Sequence, residues 1–151
     1  MKKHLEVVAA ILIHEGKILC MKRGQVKYAY VSNKYEFPGG KIEQGETKHA
    51  ALERELREEM AIKVAIQESD IFMTINYEYP DFSITLHTFK CYMEKPDFIM
   101  KEHIDFKWME PSKITTLEWA PADWEIVERL SGEQESFYKK DRYLIKLISV
   151  L

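Results

Sequence analysis

Apolar and polar residues alternate along the chain in patterns that mark out strands first. Leu5 to Ile13 is rich in Val, Ala, Ile and Leu, and Lys17 to Arg23 is a second strand-like run. The His14-Glu15-Gly16 step between them predicts a hairpin. Tyr35-Glu36-Phe37 reads as a short strand stopped by Pro38, and Gly39-Gly40 are expected to turn the backbone tightly. Ile62 to Tyr79 carries strand character broken over Gln67 to Asp70. Phe82 to Met93 alternates as a further strand, and Phe106 to Met109 is a short one.

The period changes between Thr47 and Met60, which contain no Pro or Gly and are rich in Ala, Leu, Glu, Arg, Lys and Met. These residues lose least on entering a helix. Leu52, Leu56 and Met60 form its apolar stripe, and Glu53 and Arg57 are expected to face water. Pro121 at a first helical position, followed by Ala122 to Leu130, predicts a second helix. Strands with helices on either side imply an α/β sandwich built on a mixed sheet, as one domain over residues 1–130. Beyond a Ser131-Gly132 break, Leu144, Leu147, Ile148 and Leu151 recur at i, i+3, i+4 and i+7. An amphipathic C-terminal helix over 131–151 is expected to pack on the same domain, with dimer formation as the alternative.

Chemistry concentrates on the first helix. At about 100° per residue, Glu58 and Glu59 fall to either side of Glu55, so three carboxylates share one stripe. Like charges at this spacing repel, and a divalent cation reverses the sign. Hard oxygen ligands suit Mg²⁺, which keeps several waters and takes substrate phosphate oxygens. Arg54, beside Glu55 and four residues before Glu58, is placed to hold a carboxylate through a charge-assisted hydrogen bond. A backbone oxygen from the preceding glycines would complete a cage. The pattern points to metal-assisted hydrolysis of a phosphate ester.

From Gly40 the spacing runs Gly, five residues, Glu46, seven residues, Arg54-Glu55-Leu56, one residue, Glu58-Glu59, one residue, Ala61, Ile62. This resembles the Nudix box at every defined position except Ala61, where the family has Gly. A left-handed backbone there would cost Ala roughly 1 kcal/mol. The likeness extends over His4 to Leu130 and is similar to the MutT-like branch in Tyr35-Glu36-Phe37-Pro38-Gly39-Gly40-Lys41, Tyr77-Glu78-Tyr79-Pro80-Asp81, Lys101-Glu102 and Pro121-Ala122-Asp123. It implies a Nudix-type α/β/α sandwich and Mg²⁺-dependent cleavage of a nucleoside triphosphate to monophosphate and pyrophosphate, with Mn²⁺ as a substitute. Substrates of the 8-oxo-dGTP or (d)CTP type are implied. Another nucleoside diphosphate derivative, or a binding module without catalysis, stands as the alternative.

The resemblance makes Glu55, Glu58, Glu59 and the Gly39 carbonyl metal ligands. Glu102 joins them or takes a proton from the attacking water, and Glu55 is the competing base. Glu46 is expected to favour the helix N-terminus. Arg23 is a phosphate contact by its planar, bidentate donors. Phe37, Tyr79 and Leu86 are base-flanking candidates that compete with plain core roles, and Tyr28 and Tyr30 in the Gly24 to Lys34 loop would border the pocket. Asp123 occupies the position that reads the base edge. Ionised, it would only accept hydrogen bonds and so would select an edge rich in N–H donors. Helix capping is its competing role.

Composition narrows the partners. A net charge of −3 over 151 residues offers no broad cationic surface for a nucleic acid polymer, so a small nucleotide would be gripped locally. The apolar run near the start is too short for a membrane span and lacks the features of a signal peptide. Cys20 and Cys91, in predicted strands and no ligand spacing, are expected to be buried reduced thiols, consistent with a cytoplasmic protein that is a monomer or homodimer. None of the five histidines shows metal-ligand spacing.

Overall fold

The computed structural model describes residues 2–133. Its strands are β1 (Lys3–His14), β2 (Lys17–Arg23), β3 (Tyr35–Glu36), β4 (Gly39–Lys41), β5 (Ile71–Glu78), β6 (Phe82–Tyr92) and β7 (His103–Met109). Its α-helices are α1 (Lys48–Met60) and α2 (Trp124–Gly132). The strands form one mixed sheet in the order β3-β2-β1-β6-β5, with β4 also paired to β1 and β7 to β2. β1 and β6 run parallel, Lys3 against Phe82 through Ile13 against Tyr92, and the other pairings are antiparallel. The β1–β2 hairpin turns through Glu15 and Gly16, both at positive φ.

β1 explains why its sequence is apolar without a break. Val8, Ala10 and Leu12 face Leu52, Leu56 and Met60 of α1. Ala9, Ile11 and Ile13 face Ile126, Val127 and Leu130 of α2. A strand covered on both faces needs apolar residues at both parities. The predicted sandwich is therefore present, with one core on each side of the sheet. Cys20 and Cys91 are buried free thiols, and burial pushes each up to about 12. No helix among the described residues is long and apolar enough to cross a membrane.

Several elements differ from expectation. Gly39 and Gly40 do not turn; they form β4, antiparallel to Val8 and Ala9. Glycine is required there by close approach, since a Cβ on Gly39 would lie 1.9 Å from the Val8 carbonyl oxygen. Ile62 to Gln67 is not a strand. Glu53, expected to face water, accepts the Ile66 N–H at 3.0 Å and pins this connection to the helix. β7 starts at His103, three residues before the predicted strand, because its pairing with β2 continues to Arg23. α2 continues through Ser131 and Gly132, and the expected helix beyond them lies outside the described residues.

Candidate active site

Thr47 caps α1 by accepting the Ala50 N–H (3.3 Å), and the first turn carries no acid. Glu46 accordingly does not serve the helix terminus as expected. Its carboxylate accepts the Glu43 N–H at 2.8 Å and is gripped by Arg54, Nε to Oε2 at 2.6 Å and Nη2 to Oε1 at 2.9 Å. The same guanidinium donates to Glu55 Oε1 (3.0 Å), Glu58 Oε2 (3.3 Å) and the Lys41 carbonyl (3.1 Å). Arg54 is thus the clasp that ties the loop before α1 to the acids on it. The carboxylates around it hold its pKa above the ordinary arginine value, Glu46 first.

Glu55 and Glu59, one turn apart on α1, line a cleft with Glu102, which the segment before β7 brings across from the other side. Burial raises the pKa of Glu55, against the pull of Arg54 and with help from Glu58 and Glu102. Burial, then the charges of Glu102 and Glu55 and a hydrogen bond with Glu102, raise that of Glu59. Glu55, Glu59 and Glu102 thus bring carboxylate oxygens, the ligands a hard cation prefers, to one cleft. Gly39 lines the same cleft. Glu58 does not: its side chain is 55% exposed and turned to Arg54, and Lys101 Nζ donates to its backbone carbonyl at 2.9 Å. Among the described residues no three His, Cys, Asp or Glu side chains stand already gathered as a metal cage.

The cleft continues for about 360 Å³ from these acids to Asp123. Phe37 and Leu86 form its walls and also belong to the core on the α2 side. Phe37 packs on Trp119 with ring centroids 4.7 Å apart. Tyr79, also on the wall, is fixed by its hydroxyl accepting the Ala122 N–H at 3.0 Å. The two alternatives, core residue or pocket wall, are therefore both true of these side chains. Tyr28 and Tyr30 do not line the cleft. Tyr30 stacks behind Tyr79 at 4.9 Å, Tyr28 behind Tyr30 at 5.4 Å, and Val31 takes the lining position.

Asp123 sits at the start of α2 but makes no capping hydrogen bond, so the capping role is excluded. Its carboxyl is buried in the cleft wall. Burial raises its pKa well above the ordinary value and the nearby Glu36 charge adds to this, while the Phe37 backbone N–H and Arg23 act the other way. The direction of this shift favours the neutral carboxyl more than in a free aspartate, and a neutral carboxyl donates as well as accepts.

Arg23 reaches the cleft from the end of β2, paired with Glu36: Nε to Oε1 at 2.7 Å and Nη2 to Oε2 at 3.2 Å. His103 Nε2 lies 3.3 Å from the same carboxylate. Glu36 and His103 are cleft residues that the sequence reading left out. A glutamate in a short strand immediately before Pro-Gly-Gly was the available signal for the first, and nothing local marks the second.

Comparison with known proteins identifies the family. The NUDIX domain family model matches residues 2–130. The chain is 33% identical over 128 residues to the 8-oxo-dGTP diphosphatase of Escherichia coli K12, covering 85% of this chain and 97% of that one. It is 35% identical over 137 residues to the CTP pyrophosphohydrolase of the same organism, covering 83% and 90%. The crystal structure of a MutT protein from Methanosarcina mazei Go1 superposes with a TM-score of 0.75 at 27% identity, covering 87% of this chain and 96% of that one.

Proposed function

The chain belongs to the Nudix family and is a MutT-like hydrolase, and on that premise we propose that it cleaves a nucleoside triphosphate to the monophosphate and pyrophosphate with Mg²⁺, which Mn²⁺ can replace. The observation that carries this is the convergence of Glu55, Glu59 and Glu102 at one end of a cleft whose other end is Asp123. Acids that suit a cation, the guanidinium of Arg23 and the apolar side chains of Phe37 and Leu86 thereby line one cleft.

Glu55, Glu59, Glu102 and the Gly39 backbone would hold a Mg²⁺ ion, and Glu58 is the further ligand that the resemblance implies. Such a cation supplies charge neutralisation on the phosphate chain and lowers the pKa of water near it. The protein's own groups do the rest. Arg54 sets the direction of Glu55, and Glu55 or Glu102 takes the proton of the attacking water. Arg23, released from Glu36 or sharing it, binds a phosphate oxygen by its fork of donors. Phe37, Leu86 and Tyr79 exclude water from the base, and Asp123 reads its edge. The substrate is of the 8-oxo-dGTP or (d)CTP type, in keeping with what the two Escherichia coli relatives are named for. The net charge of −3 and the buried reduced cysteines support action in the cytoplasm on free nucleotides, not on a nucleic acid polymer.

A pyrophosphate-release screen over ordinary and oxidised nucleoside triphosphates, with Mg²⁺ and with Glu55→Gln in parallel, tests this reading. Release on at least one triphosphate that falls by about 10²-fold or more in the variant is expected. Release equal in wild type and variant on every substrate would overturn the site.

A further inference from the structure

β7 is an edge strand. It pairs with β2 from Arg23 against His103 to Ile18 against Met109, and among the described residues no strand lies along its other side. Edge strands are usually blunted by charge or covered, since their open backbone groups invite pairing. This one does the reverse with its apolar residues. Ile104 is 57% and Phe106 41% exposed, and Ile99 and Met100 in the preceding loop are exposed beside them. The Phe106 ring is braced edge-on by Phe98 at 4.9 Å, so it is held out and not loose. At mid-strand the Phe106 N–H donates to the Asp105 carboxylate (2.9 Å), a temporary partner for a group that a neighbouring strand would otherwise take.

We propose that β7 is a homodimerisation site, pairing antiparallel with β7 of a second copy about a two-fold axis at Phe106. The charge pattern selects both partner and register. Asp105 and Lys107 are exposed, share one face of the strand, and make no ion pair within the chain among the described residues. Antiparallel pairing centred on Phe106 sets each Asp105 opposite the second copy's Lys107. It also sets Phe106 against its own counterpart, and Ile104 against Trp108, on the other face. Sliding by two residues either way places Asp105 against Asp105 or Lys107 against Lys107, and parallel in-register pairing does both. A slip of one residue puts apolar against charged positions. Only one arrangement satisfies both faces, and it is self-complementary, as a closed two-fold interface demands. The strand begins directly after Glu102, so the pairing anchors the segment that carries this acid across the cleft.

Sedimentation equilibrium of the full chain tests the proposal. Wild type is expected to be a concentration-dependent dimer. Asp105→Lys and Lys107→Asp are each expected to raise the dimer dissociation constant by about tenfold or more, since two symmetry-related pairs change from opposite to like charge. The double variant, Asp105→Lys with Lys107→Asp, restores the opposition and should return the constant to near the wild-type value. Both positions are exposed, and thermal melts of each variant verify that the fold is kept. Monomeric wild type overturns the proposal, including the case in which the β7 amides are protected from hydrogen exchange because residues 134–151 of the same chain cover the edge. A dimer indifferent to all three variants also overturns it.

Discussion

Gly40 and Glu55 meet where β4 passes beneath α1: a Cβ added to Gly40 would stand 2.4 Å from the Glu55 carboxyl carbon and 2.5 Å from Oε1. The glycine is therefore the floor on which the Glu55 carboxylate rests. Gly40→Ala must displace that carboxylate. A shift of about 1 Å in a reacting group costs on the order of 10²-fold. The variant is expected to fold and to lose about this much of kcat in pyrophosphate release, with the circular dichroism spectrum unchanged.

The clasp formed by Arg54 predicts a cost for the most conservative exchange available. Lysine offers a single ammonium and cannot reach Glu46, Glu55, Glu58 and the Lys41 carbonyl together. Arg54→Lys should lower kcat by about 10- to 100-fold, the range seen when a group orienting metal ligands is lost. It should also raise the Mg²⁺ concentration needed for half-maximal rate. A rate loss with no change in the Mg²⁺ requirement would assign Arg54 to a role away from the cation site.

Ala61 ends α1 at φ 55°, ψ 33°, with its N–H donating to Arg57 O at 3.2 Å. The left-handed backbone foreseen at this one departure from the Nudix box is present, and the side chain is strained there. Ala61→Gly is expected to stabilise the protein by about 1 kcal/mol. That corresponds to a rise of about 2–4 °C in Tm for a chain of this size. Calorimetry at fixed pH measures it, and unchanged activity would separate helix termination from the chemistry at Glu55.

Asp123 gives stability a definite pH slope. Its folded-state pKa lies above the ordinary, unfolded value of 3.8, so above that pH the folded state binds more protons than the unfolded one. The stability it contributes is complete below the unfolded pKa and is lost as pH rises through the folded pKa. Asp123→Asn, which never ionises, should be the more stable protein at neutral and alkaline pH, with the two urea unfolding curves converging in acid. The variant should also change the ranking of bases in a triphosphate screen, because its amide always presents one donor and one acceptor group.

What the sequence revealed depended on how local the cause was. α1 was legible to within a residue because its composition and its cap are contiguous. Helical spacing put Glu55, Glu58 and Glu59 on one stripe, of which Glu55 and Glu59 line the cleft and Glu58 does not. The role of Gly40 was not legible, since it is set by a side chain fifteen positions away on another element. Glu46 looked like a helix-terminal acid until Arg54 was seen to claim it. Asp123 could be placed by resemblance, but its raised pKa comes from burial and from the nearby Glu36 charge, which no spacing encodes. Ile62 to Ile66 has strand-like residues without a strand, because these apolar positions serve the α1-side core and no neighbour offers it a ladder.

The alternation of β1 between two cores has an outcome for how such a molecule changes over time. Glu55 and Glu59 ride on the layer packed against Val8, Ala10 and Leu12, whereas Phe37, Leu86 and the start of α2 belong to the layer packed against Ala9, Ile11 and Ile13. Under the proposed function, the acids for bond cleavage and the residues for nucleobase choice would thus reach one shared cleft from different packing layers. Core substitutions confined to one layer would then act first on one of the two tasks, which gives selectivity a route to drift across descendants with the hydrolytic acids kept.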